Sequence, residues 1–82
     1  MNIDKLKRKS LTQLLEIKTA TESICESYAK RLTDYATING DVQFRNMPKD
    51  TQELYDRRGK FVKFLDCINA VIEEKIMTYY NE

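Results

Sequence analysis

Apolar residues recur with one unbroken helical phase over the first half of the chain. On a wheel at 100° per residue, Ile3, Leu6, Leu11, Leu14, Ile17, Ile24, Cys25, Tyr28, Ala29, Leu32, Tyr35 and Ala36 share an arc of about 140°. Such a pattern cannot be a strand, whose side chains alternate with a period of two. It predicts one continuous helix from about residue 3 to residue 38. A second possibility is a later start, because Ser10-Leu11-Thr12-Gln13 has the spacing of a capping box. Asn39-Gly40 marks the end, since both residues tolerate the left-handed backbone that closes helices.

Residues 39–49 are expected to connect this helix to a second one over about 50–80. Pro48 suits a helix start, and Asp50-Thr51-Gln52-Glu53 has the acid-x-x-Glu spacing of a first turn. Leu54, Phe61, Phe64, Leu65, Ile68, Val71, Ile72, Ile76 and Tyr79 then form another arc of about 140°. Gly59 lies inside this stretch and costs roughly 1 kcal/mol relative to alanine. The helix is expected to run through it, the alternative being two helices over 50–58 and 60–80. Four acid-before-base pairs at i,i+4 agree with the phase: Asp4–Arg8, Glu26–Lys30, Glu53–Arg57 and Asp56–Lys60.

The fold class is therefore all-α. Residues 1–82 are expected to form a single helical domain, an antiparallel hairpin in which residue i lies near residue 88 − i. A chain of 82 residues has little core to spare. Each apolar arc is also wider than the narrow seam of an isolated two-helix coiled coil. Two hairpins sharing their remaining apolar surface would make a dimeric four-helix bundle, so a homodimer is expected.

Composition narrows the function. The chain has no histidine, which removes the commonest general base and the commonest zinc ligand. Its two cysteines, Cys25 and Cys67, do not make a structural zinc site without histidine. Two glycines are too few for a phosphate-binding loop. Glu22 with Glu26, and Glu73 with Glu74 near Asn69 and Asn81, read as solvated faces and not as catalytic or metal-binding pairs. No enzyme activity, cofactor or metal is expected. The N-terminal sequence lacks the apolar run of a signal peptide, and no stretch is apolar enough to cross a membrane. A cytoplasmic location with free thiols is expected. Ile, Lys, Asn, Tyr, Phe and Met greatly outnumber Gly, Ala, Arg and Pro. This bias toward AT-rich codons suggests a low-GC bacterium or one of its phages or plasmids.

The net charge of +1, from 14 basic and 13 acidic residues, is not that of a dedicated nucleic-acid binder. The basic residues are nonetheless clustered. Arg57-Arg58-Gly59-Lys60 interrupts the second apolar arc, and the hairpin register brings Lys30, Arg31, Tyr28 and Tyr35 opposite. On the wheel Arg57 and Arg58 flank the core, so they are expected to be partly sequestered and paired with Glu53, Asp56 or Asp34. Their other reading is an anion site, because arginine forks match phosphate and carboxylate groups. Gly59 would then admit a close backbone approach. Lys5, Lys7, Arg8 and Lys9 form a second cluster, placed against the dipole of a continuous first helix. Tyr55 and Tyr80 are candidate exposed anchors for a partner.

Two functional readings follow. The first is a non-catalytic protein-binding module, an adaptor, subunit or small inhibitor, acting through helix faces and self-association. The second is binding of nucleic acid, a nucleotide or another anion at Arg57, Arg58, Lys60, Lys30 and Arg31. An acidic middle, Glu16, Glu22, Glu26, Asp66, Glu73 and Glu74, disfavours a long continuous nucleic-acid groove.

Overall fold

A computed structural model describes residues 3–81, and every regular element in it is helical. Helix α1 spans Ile3–Lys7, α2 spans Leu11–Asn39 and α3 spans Lys49–Asn81, with one 3₁₀ turn at Phe44–Asn46. The two long helices pack against each other, and α1 packs beside α3. The result is a rod with principal extents of 53 × 20 × 17 Å. Its radius of gyration is 16.4 Å, against about 12 Å for a compact domain of this length.

The continuous first helix expected from the sequence is broken at residues 8–10. The Ser10 hydroxyl accepts from the Gln13 backbone N–H at 3.2 Å, and the Ser10 N–H donates to Gln13 Oε1 at 3.0 Å. Both halves of the capping box are thus formed, and satisfying two end groups outweighs continuity of phase. The break also removes an electrostatic oddity. Lys5 and Lys7 occupy the last turn of α1, where positive charge suits the dipole, instead of the first turns of a longer helix. Lys7 Nζ lies 3.8 Å from Glu74 Oε2 on α3, but both groups are about half exposed. Such a pair contributes no more than about 1 kcal/mol.

At its other end α2 stops where the sequence places its stop. The Gly40 N–H donates to the Ala36 carbonyl at 2.8 Å, and Gly40 has φ +75°. The Asn39 amide adds a bond to the Tyr35 carbonyl. The Pro48 carbonyl accepts the Gln52 N–H at 3.0 Å and so opens α3. Gln52 Nε2 reaches back to the carbonyls of Phe44 and Met47 at 2.9 and 3.2 Å. One side chain of α3 thereby ties down the connection that precedes it. Helix α3 is uninterrupted through Gly59.

The core lies toward the end of the rod away from the hinge. Leu6, Leu14, Ile68, Val71 and Ile72 form one cluster, with Ile17, Phe64 and Cys67 packed on it. Among the large side chains of the described residues, Leu14 and Ile68 are fully buried. Two threonines join the seam. Thr21 and Thr51 are buried, and the Thr21 hydroxyl donates to the Ile17 carbonyl at 2.7 Å. That bond satisfies the hydroxyl and leaves the methyl group for packing. The edges of the arcs stay in solvent: Ile3, Leu11, Ile24, Ala36, Ile76 and Tyr79 are all exposed.

The two glycines predict substitutions of opposite sign. A Cβ at Gly59 would meet nothing within 4 Å, so Gly59→Ala should stabilise the hairpin by about 1 kcal/mol. Gly40 has φ 75° and ψ −163°, a region open essentially to glycine alone, so Gly40→Ala should cost on the order of 1–3 kcal/mol. Urea denaturation of both variants checks the pair. Equal shifts in the same direction would contradict this account of the helix ends.

Candidate binding surface at the hinge end

The two tyrosines of the predicted site sit one heptad apart on the inner side of α2, and both are half-buried. The Tyr28 ring stacks on Phe61 of α3 with centroids 5.9 Å apart and planes at 29°. That contact agrees with the register in which residue i faces residue 88 − i, to within one position. Tyr28 is thereby committed to the hairpin. Tyr35 lies nearer the hinge, beside Leu32, Ala36, Met47 and Tyr55.

The cations behave differently from expectation. Arg57 and Arg58 were expected at sequestered inner positions with acidic partners; both are exposed. Lys30, Arg31 and Lys60 are exposed as well. Among the described residues none of these five makes an ion pair or a hydrogen bond. The i,i+4 pairs Glu26–Lys30, Glu53–Arg57 and Asp56–Lys60 stay open in the same way. The physical reason is length: a guanidinium on a three-carbon stem can leave the seam for water while its Cα stays near it. Gly59, expected to admit a close approach, faces open space.

Arg58 is the one predicted cation with a defined setting. It borders a cleft of about 230 Å³ whose other walls are Ala29, Leu32, Thr33, Ala36 and Tyr55. A second cleft of about 200 Å³ adjoins it and shares Leu32, Ala36 and Tyr55. The clefts exist because α2 presents small side chains here, Ala29, Thr33 and Ala36, opposite the larger Tyr55 and Arg58. Tyr55 is held upright by an edge-to-face contact with Phe44, with centroids 6.1 Å apart. The structure thus sets Arg58 and Tyr35 on two separate clefts that share the walls Leu32, Ala36 and Tyr55. It leaves Arg57, Lys60, Lys30 and Arg31 as separate surface charges. Tyr55 was anticipated only as an isolated anchor, and the space left by the small residues opposite it was missed. Their spacing at i, i+4 and i+7 is the signal that could have found them.

Elsewhere, Tyr80 is exposed and meets Tyr79 edge to face, with centroids 6.1 Å apart. Glu22, Glu26, Glu73 and Glu74 are exposed. Among the described residues no three acidic or cysteine side chains are grouped so as to hold a metal ion. Cys25 and Cys67 are unpaired thiols, and no helix is long and apolar enough to cross a membrane.

Comparison of the chain with protein-family models, with curated proteins and with solved structures finds no match.

Because Arg57 and Arg58 make no polar contact, their removal should leave the hairpin intact. Arg57→Ala with Arg58→Ala should change the unfolding free energy by less than about 0.5 kcal/mol. A loss of several kcal/mol in urea denaturation would mean that the two arginines are held in the fold after all.

Proposed function

We propose that this chain is a non-catalytic protein-binding module, an adaptor, subunit or small inhibitor, that works through its helix faces and through self-association. The observation that carries the proposal is surface left uncovered. The hairpin exposes 6432 Å², whereas a compact monomer of its 9.7 kDa exposes about 5,100 Å². The surplus, roughly 1,300 Å², exceeds the ~800 Å² per partner of a standard interface. Much of it is apolar: Leu11, Leu15, Ile24 and Ile76 each keep 38–45% of their surface in solvent. A dimeric four-helix bundle would cover such faces in the way four-helix bundles do. A cytoplasmic setting, with Cys25 and Cys67 as thiols, belongs to the same reading, as does the low-GC bacterial, phage or plasmid origin.

Sedimentation equilibrium at micromolar concentration tests the self-association. A mass near twice 9.7 kDa is the expected result, and a folded monomer overturns it.

A second reading rests on the unpaired cations. Among the described residues Arg57, Arg58, Lys60, Lys30 and Arg31 have no acidic partner, which leaves them available to phosphate or carboxylate groups. Binding of this kind weakens steeply as salt rises. Fluorescence anisotropy with labelled RNA, DNA and nucleotide at low salt tests it. Salt-sensitive binding that is lost in the double Arg57→Ala, Arg58→Ala chain supports this reading, and no anisotropy change in any of the three removes it.

A further inference from the structure

One face of α2 carries both halves of a self-complementary surface. Leu11, Leu15, Lys18, Glu22, Ala29, Thr33 and Ala36 follow one another at steps of three, four and seven residues, the spacing of a continuous helical seam. This seam is not the one that packs on α3, which runs through Leu14, Thr21, Tyr28 and Leu32. Toward the end away from the hinge it presents knobs: Leu11 and Leu15 are 39% and 45% exposed. Toward the hinge it presents a hole, the cleft of about 230 Å³ walled by Ala29, Thr33, Ala36, Tyr55 and Arg58. Knob and hole lie about 30 Å apart at 1.5 Å per residue, so neither can fill the other within one chain.

We propose that the occupant of this face is a second copy of the same chain, antiparallel to the first, with Leu15 of each copy seated in the hinge-end cleft of the other. The proposal rests on the self-association put forward above and assigns its face and orientation. A two-fold axis crossing the seam at the level of Ser23 and Ile24, whose own side chains point elsewhere, reverses the seam onto itself. Leu11 then meets the partner's Ala36, Leu15 meets the partner's Thr33, and Lys18 meets the partner's Ala29. In these three pairs a large residue falls opposite a small one, and every contact occurs twice, as a two-fold interface requires.

Charge agrees with shape. Among the described residues, Arg58 on the rim of the cleft has no acidic partner and exposed Glu22 has no basic one. The reversal sets Glu22 of one copy one turn of α2, about 6 Å, beyond Lys18, which meets the partner's Ala29 beside Arg58. A foreign helix would need only the hole or only the knobs; the presence of both on one seam, about equally far from its centre, favours a second copy.

Sedimentation equilibrium on the full chain and its variants tests the assignment, with circular dichroism confirming that each variant keeps its helix content. Leu15→Arg should weaken the dimer at least tenfold, and Thr33→Arg, also on an exposed position, should do the same. Arg58→Glu should weaken it, and adding Glu22→Arg to that chain should restore it. Ile24→Arg, on the opposite edge of α2, should leave it dimeric. A dimer indifferent to Leu15→Arg and Thr33→Arg, or one dissociated by Ile24→Arg alone, overturns this face while self-association stands. A wild-type chain that is monomeric at every concentration overturns both.

Discussion

The hairpin depends on the apolar cluster to which α2 contributes Leu14 and α3 contributes Ile68. Among the described residues these are the two large side chains removed completely from water, and Leu6, Val71 and Ile72 belong to the same cluster. Burial of a leucine or isoleucine contributes roughly 1.5–3 kcal/mol, so a handful of such residues is a thin margin for a domain. The long helices cannot obtain that stability from propensity alone. Position along the rod matters for the same reason: the end away from the hinge is secured by packing, and the hinge end by the hydrogen bonds of Gly40, Asn39 and Gln52.

Much of this architecture can be read from the sequence. Period and phase identify two long helices, Asn39-Gly40 ends the first, and the run from Leu54 to Tyr79 carries the second through Gly59. Phase alone cannot report a break that preserves phase. Leu6 reaches the core on both sides of the question, so the short α1 followed by Ser10 looks on a wheel like one helix. Reciprocal bonding by Ser10 and Gln13 decides the matter, and the four cations just before them point the same way. They suit the C-terminal end of a short helix and not the N-terminal end of a long one.

The candidate site was less legible, for a reason of scale. A wheel assigns a direction to Cα and Cβ, and Arg57 and Arg58 do lie near the seam by that measure. Their charged ends are several bonds farther out, where water competes with the acids one turn away on the same helix. Thr21 shows the converse error. Classed as polar, it drops out of an apolar arc, although its hydroxyl bonds to its own helix and its methyl group packs in the seam. Ala29 and Ala36 enter the first apolar arc as pattern and Thr33 does not enter it at all; the arc does not register that all three are small and so leave space.

The reach of Gln52 back to Phe44 and Met47 has a kinetic meaning. Those two bonds require both the wound first turn of α3 and the folded-back connection, so neither is complete without the other. Starting a helix is the costly step of making one, and bringing distant segments together carries its own entropic cost. In this chain the start of the second helix and the reversal of direction are joined in a single side chain. The point at which the chain turns is thereby also a point from which its second half can grow.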